Sequence, residues 1–139
     1  MRREATIPSE RSQSLVELAI SFTVIVLLLS GVIEFGIAFF QFVQMQDAAQ
    51  EGMIYASTNP TDQAGIQNRI LAIVNQPFNL GLTSANISIS GGNCAGQALT
   101  ITIIYDHPVT MPLISTITGP TIPLRASVTG TILSPPCSP

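Results

Sequence analysis

Sixteen consecutive residues, Leu18 to Ile33, carry no charge, and Val24-Ile25-Val26-Leu27-Leu28-Leu29 within them are all aliphatic. A helix that is apolar all round is surrounded either by lipid or by copies of itself. Glu34 interrupts the run, and Phe35 to Gln46 is again uncharged, with Phe35, Phe39, Phe40 and Phe42 among its residues. No proline lies between Pro8 and Pro60, and Gly31, Gly36 and Gly52 stand alone. The pattern therefore predicts one continuous helix from about Ser14 to Tyr55. At ~1.5 Å per residue it is ~60 Å long, about twice the hydrocarbon core of a bilayer. Its second half must leave the membrane or pack against protein.

Charge placement orients the helix. Arg2, Arg3 and Arg11 precede the apolar run, and the next basic residue is Arg69. The positive-inside rule then puts the N-terminus in the cytoplasm and the C-terminal part outside. A cleaved secretory signal shares the basic start and apolar core, but it is shorter and ends in an A-x-A-like site that this run lacks. The whole chain of 139 residues is 46% hydrophobic and only 9% charged, where about a quarter is usual. Eight acids outnumber five arginines, with no lysine and a net charge of -3. That is the reverse of a nucleic-acid footprint. The length suits one domain, or one domain plus a membrane segment, and leaves no room for a multidomain enzyme.

Beyond Tyr55 the character changes. Ser57-Thr58-Asn59-Pro60 reads as a stop and restart, with Asn59 as N-cap, Pro60 at the first helical position and Asp62 in the first turn. Ile66, Ile70, Ile73 and Val74 recur at helical spacing, which predicts a short amphipathic helix from about Pro60 to Asn75, ended by Pro77. Three stretches of period two follow: Asn86 to Ser90, Leu99 to Tyr105 and Leu124 to Ile132. In the second, Leu99, Ile101, Ile103 and Tyr105 share a face opposite Thr100 and Thr102. In the third, Leu124, Ala126, Val128, Gly130 and Ile132 oppose Arg125, Ser127, Thr129 and Thr131. This is the half-buried antiparallel pattern. Pro108, Pro112, Pro120 and Pro123 bracket an apolar connection that reads as no regular element. Its Val109, Met111, Leu113, Ile114 and Ile117 suggest a contact between subunits.

The expected architecture is thus α+β: a long N-terminal hydrophobic helix, a short second helix and a small antiparallel sheet of about three strands. Residues 1–12 form a basic cytoplasmic leader, 13–57 the long helix and 58–139 a small extracytoplasmic domain. Cys94 and Cys137 are the only cysteines, and in an exported domain they are expected to form a disulfide. His107, the only histidine, stands in Asp106-His107-Pro108 and reads as a surface turn residue. With no second histidine, a metal site would have to be made of carboxylates. No serine stands in a nucleophile-elbow context. Asn86-Ile87-Ser88 fits a glycosylation sequon, and Gly91-Gly92 reads as a turn rather than a phosphate loop. No catalytic set, cofactor or metal is expected.

Two glutamates on the apolar helix remain. Glu17 opens the run and Glu34 lies 17 positions deeper, with no basic residue on the segment between them. An ionisable group in an apolar span is costly and needs a partner or a function. Glu34 must be protonated, face a cavity or meet a group on a neighbouring chain.

Gln13-Ser14-Leu15-Val16-Glu17-Leu18-Ala19, the aliphatic run, Gly31-Val32-Ile33-Glu34-Phe35-Gly36, and then Ala48-Ala49-Gln50-Glu51-Gly52 with Tyr55-Ala56 closely resemble the TadE-like proteins, pilin-like components of Flp/Tad (type IVc) pilus systems. The late strand, proline-bearing connection and final strand resemble the family more loosely. The resemblance implies a pilin-like fold and no enzymatic activity. It implies cleavage by a prepilin peptidase between Ser12 and Gln13, where Ser12 stands in place of the family's usual glycine. Glu17 then becomes the fifth mature residue and, with Glu34, a candidate assembly residue. The new α-amino group of an adjacent subunit would dock on Glu17 and fix axial register. The implied partners are copies of the chain, related pilins, the peptidase and, before assembly, the cytoplasmic membrane. The implied product is an extracellular filament at the cell surface. A membrane-anchored assembly factor or surface-binding module that is never polymerised is the alternative.

Overall fold

The computed structural model describes residues 9–76 and 79–137, with the long helix's side chains described from Ser12 onward. Most of the leader, including Arg2 and Arg3, and the helix-ending Pro77 lie outside the described residues. The first element, α1, runs unbroken over Ser9–Ala56. It is followed by α2 (Gln63–Val74), a single 3-10 turn at Ser84–Asn86, β1 (Ile87–Gly91), β2 (Ala98–Pro108), α3 (Pro112–Thr118) and β3 (Thr121–Thr131). The three strands form one antiparallel sheet in the order β1-β2-β3. The fold is α+β, as expected.

α1 has two unlike parts. From Leu15 to Ile33 its apolar side chains project free of the domain. From Glu34 onward one stripe is buried, through Ala38, Met45, Ala48, Ala49, Met53 and Ala56. These positions fall near multiples of 3.6 residues, so a single face meets the sheet and α2. Alanine and glycine on that stripe let the partner elements come close. A Cβ on Gly52 would lie 2.6 Å from Cγ1 of Ile70 on α2.

The sheet's inner face supplies Leu99, Ile101, Ile103 and Ala126 to the core, and α2 supplies Ile66, Ile70 and Val74. The outer face is a hydroxyl ladder. Thr100 pairs with Thr129 and Thr102 with Ser127 across β2 and β3, with oxygens 2.9 and 3.2 Å apart. Cross-strand pairs of this kind stabilise a sheet without charge. They account for a domain that is sparsely charged without being greasy.

Three sequence expectations need correction. α2 starts at Gln63 rather than Pro60, because Asp62 and not Asn59 is its N-cap: the Asp62 carboxylate accepts from Gly65 N at 2.9 Å. β2 and β3 run to Pro108 and from Thr121, three residues past each expected end. The connection between them is not irregular. It holds α3, started by Pro112 and closed by Gly119 at φ 92°.

Candidate functional site

The carboxylate of Glu34 is the anchor of the domain on α1. The last turn before the domain's covered stripe brings Glu34 under the end of β2, where the chain turns away toward α3. His107 Nε2 lies 3.0 Å from Glu34 Oε1. The backbone N–H of Thr110 donates to the same oxygen at 3.0 Å, and Thr110 Oγ1 donates to Oε2 at 2.9 Å. Three donors thus converge on one carboxylate that is 1% exposed. With Nε2–H donating, Nδ1 of the same ring has no partner among the described residues.

This arrangement corrects two expectations. Glu34 needs no neighbouring chain to satisfy its carboxylate, since its partners stand 73 and 76 residues away in the same chain. His107 is no surface turn residue, at 2% exposed. A second buried side chain, which sequence reasoning missed, holds the other end of the contact. Gln44 Nε2 donates to the carbonyls of Val74 and Gln76 at 3.0 and 2.7 Å. It meets one carbonyl of the last turn of α2, which the helix leaves unpaired, and one just past its C-cap.

The remaining candidates lie apart from this cluster. Glu17 is exposed on the bare part of α1, ~26 Å along the axis from Glu34. Ser12 and Gln13 sit on the first turns of α1 and are exposed. Cys94 and Cys137 are joined in a disulfide with Cα atoms 4.9 Å apart. The bridge pins the C-terminal tail to the β1–β2 connection, next to hydrogen bonds from Ala95 N to Pro135 O and from Gly96 N to Ile132 O. Asn86 of the sequon is engaged at both ends of its amide, accepting from Thr83 N and donating to Ile104 O. Among the described residues, no three His, Cys, Asp or Glu side chains are grouped to hold a metal.

The surface that dominates is therefore the bare apolar length of α1. It is the one helix among the described residues long and apolar enough to cross a membrane. Residues 13–53 match the model of a family described as TadE-like protein. The match covers Glu17, the aliphatic run, Glu34 and the buried stripe as far as Met53. No curated protein and no solved structure matches the chain. By the helix that carries both glutamates, residues 13–53, the chain is similar to the TadE-like proteins, a family associated with the Tad pilus.

Proposed function

We propose that the chain is a structural subunit, pilin or pseudopilin, of a Tad-type extracellular filament. The observation that carries this reading is the bare length of α1. Twelve large apolar side chains from Leu15 to Ile33 are exposed, and Glu17 lies exposed among them. Lipid covers them first, with the N-terminus in the cytoplasm, and the helices of other subunits cover them after assembly. A prepilin peptidase cuts between Ser12 and Gln13, and the new amine of one subunit meets Glu17 of the next. A carboxylate in an apolar bundle is tolerated when such a partner satisfies it. The sheet domain faces outward, with Ser127 and Thr129 of its hydroxyl face toward water. The function is structural rather than enzymatic.

The test is the protein content of sheared surface filaments. Filaments that contain this chain with Gln13 as its first residue support the proposal. A chain confined to the membrane fraction of filament-bearing cells and still starting at Met1 overturns it in favour of an unpolymerised assembly factor.

A further inference from the structure

α3 is an unusual helix to leave in water. Leu113 and Ile117, four residues apart and so on one face, are 54% and 72% exposed. None of the seven residues of α3 is charged. Its hydroxyls are turned back on the backbone. Ser115 Oγ and Thr116 Oγ1 each donate to the carbonyl of Pro112 at 2.9 Å, and Thr118 Oγ1 donates to that of Ile114 at 3.1 Å. The same habit occurs within the apolar run of α1, where Thr23 Oγ1 donates to Ala19 O and Ser30 Oγ to Val26 O, both at 2.8 Å. Back-bonding satisfies a hydroxyl where water does not reach.

The level at which α3 meets α1 points the same way. A Cβ on Gly31 would lie 3.7 Å from Cδ1 of Ile114, and Gly31 belongs to the uncharged run. Counted from Ser14, ~20 residues of helix cross a ~30 Å hydrocarbon core and end at Glu34. α3 therefore packs beside the last turn of the span. A half-open groove of about 460 Å³ lies beside it, lined by Phe35, Phe39, Ile114 and Ile122 among others.

We propose that α3 is a membrane foot. Before assembly it lies in the leaflet on the domain's side, with Leu113 and Ile117 among the acyl chains and one acyl chain along the groove. The Glu34 cluster locks the height of the foot, because Thr110, two residues before Pro112, is held by both its N–H and its hydroxyl. The proposal rests on the reading that α1 spans a bilayer before assembly, and its test separates the two.

The full chain, disulfide intact, is reconstituted in phosphatidylethanolamine–phosphatidylglycerol vesicles. An environment-sensitive fluorophore is attached at Ile117→Cys, at Leu113→Cys, at Leu28→Cys in mid-span, or at Thr129→Cys on the outer face of the sheet. Acyl-brominated lipid is the quencher. Quenching at 117 and 113 comparable with that at 28, and absent at 129, is the expected result. Quenching at 28 without quenching at 117 and 113 overturns the foot and leaves the span standing. Absence of quenching at 28 overturns the span itself and the foot with it. Labels at 117 and 113 that are shielded from water but unquenched by brominated lipid mean a second copy covers the helix, which also overturns the proposal.

Discussion

A buried carboxylate beside an apolar helix is stable only when its lone pairs are met, and Glu34 meets that condition with three donors from one short stretch of chain. Replacing it with alanine takes the acceptor from the Thr110 N–H and leaves the buried His107 ring without one. The expected loss for Glu34→Ala is about 2–3 kcal/mol, read as a lower urea midpoint for the detergent-solubilised chain. An unchanged midpoint would show the cluster to be an ornament of packing. Asp62 gives a second residue-scale prediction. The Gly65 N–H foremost, and then the Tyr55 hydroxyl, hold its carboxyl below the usual aspartate range. The folded state thus binds the proton less readily than the unfolded one. Asp62 contributes stability above the ordinary aspartate pKa and loses it as pH falls through the lower folded value. Acid should loosen the start of α2, and Asp62→Asn, which still caps, should blunt that response in amide exchange of Gln63–Ile66. The partners of Glu34 were partly legible beforehand. The alternation Leu99, Ile101, Ile103, Tyr105, carried one step further, puts His107 on the inner face. The run of prolines from Pro108 onward obscured that step by suggesting that the strand had already ended. Thr110 gave no signal, because nothing local marks a threonine that closes on a residue 76 positions away.

At the scale of elements, what could be read was whatever kept its period. The three strands and their inward faces followed from alternation sustained over five residues or more. The long helix followed from an unbroken apolar run. Element ends were harder, because two signals competed at each. Asn59-Pro60 and Asp62 both resemble helix starts three residues apart. Asp62 wins because it alone has both the Gly65 N–H and the Tyr55 hydroxyl within reach. α3 carried the marks of a helix, proline at its first position and glycine just past its end, but seven residues are too few to show a period. Close packing was not legible at all. Gly52 looks like any helical glycine, yet it is where α2 crosses α1. Gly52→Ala should cost about 1–3 kcal/mol by pushing Ile70 aside. Gly36→Ala, with nothing within 4 Å of the new Cβ, should cost nothing. Thermal midpoints of the two variants, measured side by side, check the contrast. Equal midpoints would mean that α2 shifts freely on α1.

At the scale of the whole molecule, the two glutamates divide the labour of one helix. Glu34 closes the domain onto α1 from within the chain. Glu17 stands on the bare length, where only lipid or another copy can cover what surrounds it. Both are acids on an apolar helix, and the sequence offered both as candidate assembly residues. The structure separates them by giving one a full set of in-chain partners. Their substitutions should therefore fail in different ways. Glu17→Ala touches no contact of the folded domain, so its urea midpoint and its membrane insertion should match those of the parent chain. It should nevertheless leave cells without filaments, since the charge that would receive a neighbour's amine is gone. Glu34→Ala should lose stability first, and any loss of filaments should follow from less folded subunit at the membrane. Midpoint, membrane abundance and filament yield, taken together on both variants, distinguish the two failures. Normal filaments from Glu17→Ala would remove its assembly role. A fall in its midpoint as large as that of Glu34→Ala would show that Glu17, too, belongs to the fold.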